Sequence, residues 1–200
     1  GNVSEPEILQ VGDGYVDIRL SLRPCQSMFL IDDNLVVRNG SIDNPEVNKL
    51  SYSIELQAEV EQLSAGVCFA ITDQQNYYMW QFNVSDKQHP CLRPHRWLGG
   101  NASLLGEIEL PKDVNMQAGH PFNIRIEIED ESYAKTYIDN VLVDERGGNF
   151  AYGRIGFRQA HDDAYGKTEV AMFDDVVIKV KTSSGSGEVV FEEDFSDSNP

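Results

Sequence analysis

Residues 66 to 97 read GVCFAITDQQNYYMWQFNVSDKQHPCLRPHRW and concentrate Asn76, Tyr77, Tyr78, Trp80, Gln81, Asn83, Arg93, His95 and Trp97. Aromatic rings bury area and stack on flat faces, while amide and guanidinium groups aim hydrogen bonds in fixed directions. Together they suit a ligand that is flat on its faces and polar at its edges, and sugars are the leading case. No other part of the chain offers comparable chemistry.

Strand geometry decides which of these groups can act together, because successive residues on a strand face opposite ways. If Trp80 lies in the core, Gln81 and Asn83 face out beside Met79. If Trp80 faces out, it is a stacking platform for a sugar ring. The core placement is preferred, which leaves Gln81 with Arg93 or His95 on the next strand as the better polar cluster. Arg93, His95 and Trp97 share one face, and Leu92, Pro94, Arg96 and Leu98 share the other. Arg93 has a plainer alternative, an ion pair with one of the many carboxylates. The chain has only four histidines, which argues against a metal site at His95.

The acidic pairs Asp32-Asp33, Asp162-Asp163 and Asp174-Asp175 raise the question of calcium, which takes several oxygens from carboxylate-rich turns. No EF-hand pattern occurs. Asp32, Asp33 and Asp174 are the weak metal candidates. For Asp174, within an apolar run, exposure at a bulge is the preferred account. No cofactor is required by any motif, and calcium is the one ion to consider.

Bulk properties narrow the partners. The 200 residues carry 33 acidic and 16 basic side chains, for a net charge of -17. Such a chain repels phosphate backbones and anionic membranes, so neither nucleic acid nor membrane is expected as a partner. No apolar run approaches the ~20 residues of a membrane span. The cysteines Cys25, Cys68 and Cys91 fit no zinc spacing. Cys68 reads as a buried thiol, and Cys25 and Cys91 either pair or remain thiols.

The elements that must position these residues are strands. FNIRIEIE (122–129) alternates Phe122, Ile124, Ile126 and Ile128 with Asn123, Arg125, Glu127 and Glu129. That is period two, a strand with one buried face. Similar runs include YVDIRLSL (15–22), SMFLID (27–32), NLVVRN (34–39), SYSIELQAEV (51–60), GVCFAI (66–71), YYMWQFNV (77–84) and CLRPHRWL (91–98). SLLGEIEL (103–110), YAKTYID (133–139), NVLVDE (140–145), GRIGFRQ (153–159) and TEVAMFDDVVIKVK (168–181) complete the set. Turn chemistry falls between runs at Asp33-Asn34, Asn39-Gly40, Gly99-Gly100, Asp139-Asn140 and Gly147-Gly148. The one helix candidate, around Glu59 to Leu63, is short and weak. Many short strands with frequent turns predict an all-β sandwich or barrel.

Several segments in order resemble the concanavalin A-like lectin/glucanase jelly roll in its laminin-G-like bacterial form. They are SMFLIDDNLVVRNGS, SYSIELQAEVEQLSAGVCFAITDQQNYYMWQFN, YAKTYIDNVLVDER, YGRIGFRQ and VAMFDDVVIKV, spanning residues 27 to 181. The resemblance implies a two-sheet antiparallel jelly-roll sandwich. Residues 1–182 would form it, with 183–200 as a linker and the first strand of a following domain, or an added edge strand.

A narrower resemblance is to jelly-roll modules of bacterial α-L-rhamnosidases and related glycoside hydrolases. It rests on Tyr77-Tyr78-Met79-Trp80-Gln81, Leu92-Arg93-Pro94-His95 and Gly156-Phe157-Arg158-Gln159. In those enzymes the catalytic machinery lies in a separate (α/α) barrel. Glucanases of this fold carry Glu-x-Asp-x-x-Glu on one strand, with the carboxylates about 5.5 Å apart for retaining hydrolysis. This chain has no match to it, and the nearest run, Glu192 to Asp197, ends in Asp. The expectation is a non-enzymatic, carbohydrate-binding module of a multidomain glycoside hydrolase that is secreted, periplasmic or at the cell surface. A rhamnose-containing glycan and the other domains of the parent enzyme are the expected partners. The resemblance sets the strands side by side, so that Tyr77, Gln81, Arg93, His95, Trp97 and Arg158 form the expected carbohydrate site. Alternatives are a domain that braces the catalytic unit, or a protein-binding laminin-G-like adhesion domain.

Overall fold

The computed structural model describes residues 7–12, 15–19, 27–30, 50–84, 89–151, 153–158, 161–162, 167–181 and 187–193. Among the described residues there are strands and turns and no helix. In chain order the first strands are β1 (Glu7–Gly12), β2 (Tyr15–Arg19), β3 (Ser27–Leu30), β4 (Ser51–Gln62), β5 (Ser64–Asp73) and β6 (Asn76–Asn83). Next come β7 (Cys91–Leu98), β8 (Asn101–Leu104), β9 (Ile108–Glu109), β10 (Pro121–Glu129), β11 (Tyr133–Ile138) and β12 (Val141–Gly147). The last are β13 (Arg154–Arg158), β14 (His161–Asp162), β15 (Lys167–Thr168), β16 (Val170–Lys181) and β17 (Gly187–Glu193).

Two antiparallel sheets carry the architecture. One has the order β12-β11-β10-β4-β16-β17. The other runs β3-β13-β5-β6-β7-β8, with β9 also pairing β7. The alternation read in FNIRIEIE is realised in β10, where Phe122, Ile124, Ile126 and Ile128 are all buried. β4 alternates the same way, burying Tyr52, Ile54, Leu56, Ala58 and Val60. These side chains meet Val67 and Phe69 of β5, Tyr78, Trp80 and Phe82 of β6, Leu92 of β7 and Ile155 and Phe157 of β13 in one core. Burial of each large apolar side chain contributes about 1.5–3 kcal/mol.

Trp80 is therefore core. It is fully buried, and its Nε1–H donates to Thr136 Oγ1 of the opposite sheet at 2.7 Å. Phe69 and Phe150 pack edge-on against it, with ring centroids 4.8 and 6.1 Å away. The Asp139-Asn140 hairpin forms as expected, with positive φ of 48° and 65° at the two turn residues. Gly99-Gly100 turns in the same left-handed region, at φ 57° and 78°.

Three local expectations differ from the structure. Glu59 to Gln62 continue β4 rather than starting a helix, because Pro121 pairs with Glu59 on one side and Ala171 with Val60 on the other. The run SLLGEIEL breaks at Gly106, φ 151°, into β8 and β9. Gly147 is the last residue of β12, paired with Tyr133, rather than part of a reversal. The run NLVVRN, the turns Asp33-Asn34 and Asn39-Gly40, and the metal candidates Asp32 and Asp33 lie outside the described residues.

Candidate functional site

With Tyr78, Trp80 and Phe82 turned into the core, the alternate residues of β6 face outward from the β3-to-β8 sheet. The pairing then lays the outward residues out as a grid. Arg158, Gly66, Gln81 and Arg93 stand in one row across β13, β5, β6 and β7. Gly156, Cys68, Met79, His95 and Leu104 form the next row. Tyr77, Trp97 and Ala102 form a third. Strands lie ~4.8 Å apart, so Arg158 and Arg93 bound a patch about 14 Å wide. All six expected carbohydrate-site residues, Tyr77, Gln81, Arg93, His95, Trp97 and Arg158, share this outer face, and each is half-buried.

Tyr77 and Trp97 are cross-strand partners whose rings stack on one another, 4.7 Å apart and 7° from parallel. Each ring gives one face to the other, which leaves an opposite face or an edge for a ligand. The His95 ring follows, 5.6 Å from Trp97. Cys68 and Met79 are buried beneath, with Tyr77 and Trp97 packed against them. Gly66 permits this arrangement. A Cβ there would meet Met79 Sδ at 2.9 Å and Arg158 Cβ at 3.2 Å. Arg158 Nη1 in turn lies 3.6 Å from Met79 Sδ.

The aromatic end is anchored by its turns. Asp73 accepts from Gln75 N at 2.7 Å and from Asn76 Nδ2 at 2.9 Å. Asn76 Oδ1 accepts from Gly99 N at 2.9 Å, and Gly100 N donates to Gln75 O at 3.0 Å. The β5–β6 turn and the β7–β8 turn are thus tied together next to Tyr77 and Trp97. The Asn76 amide and the Gln75 N–H hold the Asp73 carboxyl below its ordinary range.

The polar end is a connected chain. Gln81 Nε2 donates to Ser64 Oγ at 2.8 Å and to Glu169 Oε1 at 3.1 Å. Ser64 Oγ donates to the same Glu169 oxygen. Gln81 Oε1 lies 3.3 Å from His95 Nε2. Arg93 Nε donates to Glu107 Oε2 at 2.7 Å, the ion pair named above as the plainer alternative. Being partly exposed, that pair contributes little to stability.

Burial, and then the charges of Arg158 and Arg93, hold His95 below its ordinary value, so the imidazole is neutral at pH 7. Burial raises the Tyr77 phenol. Burial pushes the Cys68 thiol up to about 12, with Arg158 opposing. A phenol and a thiol that burial keeps protonated are poorly suited to nucleophilic attack.

The metal candidate Asp174 is exposed beside the register shift between Asp174 and Val177, and its Oδ1 accepts from Asp175 N at 2.9 Å. Asp175 has φ 51°. Among the described residues no three His, Cys, Asp or Glu side chains gather around a common point. Ser64, Glu107 and Glu169 belong to the site and were not singled out from the sequence. Ser64 and Glu169 are 105 positions apart, and no periodicity links them. Glu107 follows the strand break at Gly106, and reading SLLGEIEL as one strand hides its place opposite Arg93.

No protein-family model matches the sequence, and no curated protein matches it. Solved structures do match the fold. A carbohydrate binding module from Bacillus subtilis superposes with a TM-score of 0.50 at 18% identity, covering 64% of this chain and 74% of that one. The enzymatically active domain of tailspike protein 2 from bacteriophage CBA120 superposes with a TM-score of 0.50 at 14% identity, covering 98% of this chain and 32% of that one. At such identities the likeness speaks to fold. The chain has a two-sheet antiparallel jelly-roll fold of the concanavalin A-like kind.

Proposed function

We propose that this chain is a non-catalytic carbohydrate-binding module whose site is the outer face of the β3-to-β8 sheet. The observation that carries the reading is the single face shared by the Tyr77–Trp97 stack, the neutral His95 ring and the Gln81 amide. That face offers apolar ring surface beside directional donors and acceptors, which is what a pyranose demands. The likeness in fold to the Bacillus subtilis carbohydrate binding module supports the same reading. The motifs Leu92-Arg93-Pro94-His95 and Gly156-Phe157-Arg158-Gln159 support placing it within a secreted, periplasmic or cell-surface bacterial glycoside hydrolase of the α-L-rhamnosidase type. A rhamnose-containing glycan is then the preferred ligand.

Each neutral hydrogen bond adds only about 0.5–1.5 kcal/mol, so a single sugar should bind weakly, near ~1 mM. Avidity within a parent enzyme would raise this. The test is titration of rhamnose, galacturonate and rhamnogalacturonan fragments by NMR or calorimetry, with and without calcium, comparing wild type with Arg93→Ala and Trp97→Ala. Shifts confined to β6, β7 and β13 and lost in the variants support the site. Absence of binding at tens of millimolar removes it.

A second reading has its own observation. Leu104 and Leu105, neighbours at the end of β8, are exposed at 55% and 38%. A bracing domain would present such an apolar strip for the parent enzyme to cover. Tight, sugar-independent association with the catalytic barrel, abolished by Leu104→Asp, would favour it.

A further inference from the structure

We infer that Glu169 is a positioning residue that fixes the hydrogen-bonding polarity of His95, so that the site offers an acceptor at Nδ1 and selects ligands with a hydroxyl donor there. Glu169 lies in the segment entering β16, and only 7% of it is exposed. A carboxylate has lone pairs to offer and no proton. Its Oε1 takes the Ser64 hydroxyl proton and one Gln81 proton. The Gln81 amide is therefore oriented with its NH2 toward Glu169 and Ser64, because the opposite flip would set carbonyl against carboxylate. The amide oxygen must then point the other way, toward His95 Nε2 at 3.3 Å.

That contact has only one workable assignment. An amide oxygen accepts, so His95 Nε2 must carry the proton. In a neutral ring the other nitrogen is then a bare acceptor. The groups around the ring agree. Arg158 from β13 and Arg93 from β7 are cationic and disfavour a second proton on it. Gln81 and Met79 from β6 and Leu104 from β8 bring no charge to it. Trp97 packs against its face. A remote carboxylate thereby sets the sign of a hydrogen bond at the site through two groups, the Gln81 amide and the His95 ring. A sugar would meet guanidinium donors at the two ends of one row and an acceptor in the next row, on the strand that carries Arg93.

The ligand part rests on the carbohydrate reading, but the tautomer does not, and the experiment separates them. Two-bond proton–nitrogen correlation of the 15N-labelled protein at pH 7.5 should show His95 with a protonated Nε2 and a pyridine-like Nδ1. Glu169→Gln restores a donor beside Gln81, and Gln81→Met cuts the chain. Either should give mixed tautomers, and the double variant should add nothing further. Wild type showing Nδ1–H, or both variants keeping a pure Nε2–H ring, overturns the inference whether or not any sugar binds. Wild-type spectra and Gln81→Met suffice if Glu169→Gln does not fold. With L-rhamnose as probe, Glu169→Gln should weaken binding roughly 2- to 10-fold, the value of one hydrogen bond. Unchanged affinity with a scrambled tautomer refutes the selectivity while leaving the positioning intact.

Discussion

The two tryptophans make a paired test of which face does what. Trp80 and Thr136 are both fully buried and belong to opposite sheets, joined by one hydrogen bond of 2.7 Å. Thr136→Val keeps the shape and removes the acceptor, leaving the indole N–H in an apolar core. A buried donor left unsatisfied costs about 1–3 kcal/mol. In a chain of this size each kcal/mol moves Tm by about 2–4 °C, so the variant should melt roughly 2–12 °C lower. Thr136→Ser keeps the acceptor and loses one methyl, for about 1 kcal/mol. Combining Thr136→Val with Trp80→Phe should cost less than the sum of the two, because Phe leaves no donor to strand. Thermal melts followed by near-ultraviolet circular dichroism, with urea titrations alongside, give the numbers. Sugar affinity should not move, since neither residue reaches the outer face. Stability of Thr136→Val within ~0.5 kcal/mol of wild type, or additivity in the cycle, would refute the inter-sheet bond as described.

Trp97→Ala should do the reverse, abolishing sugar binding by titration while destabilising by only the ~0.5–1.5 kcal/mol of its stack on Tyr77 plus lost area. His95 has a folded-state value below its ordinary 6.5, so the unfolded chain takes the proton first. Its contribution to stability is complete above pH 6.5 and is lost as pH falls through the folded value, and sugar affinity should fall over the same window. Melts and titrations between pH 8 and pH 5 check this, and His95→Gln should flatten both profiles. Cys68, buried and with its thiol pushed up to about 12, should resist iodoacetamide at pH 8 in the native protein and react at once in urea, by mass spectrometry of its peptide.

What was legible in the sequence follows from the reach of the interactions involved. Alternation is local, so Phe122 to Ile128, and the division of β7 into an Arg93–His95–Trp97 face and a Leu92–Pro94 face, could be read from the chain. The outward place of Gln81 follows from the same rule once Trp80 is put in the core. Glu59 to Leu63 misled because its local preference is weak. Two flanking strands, supplied from positions near 121 and 171, decide its conformation, and pairing on both sides outweighs propensity.

The polar half of the site fails for a related reason. A periodic pattern marks which way a side chain points and says nothing of what a distant segment lays against it. Glu169 stands near the start of a run that reads as an ordinary strand, and only the antiparallel return of β16 along β4 carries it toward Ser64. The consequence reaches past bookkeeping of contacts. Gln81 and His95 were recognisable as hydrogen-bonding groups, yet each can present either a donor or an acceptor, and a sequence reading leaves that choice open. The buried carboxylate removes it, because a group that only accepts forces every group after it in the chain. Selectivity at this face therefore depends as much on a residue that need not touch the ligand as on those that would.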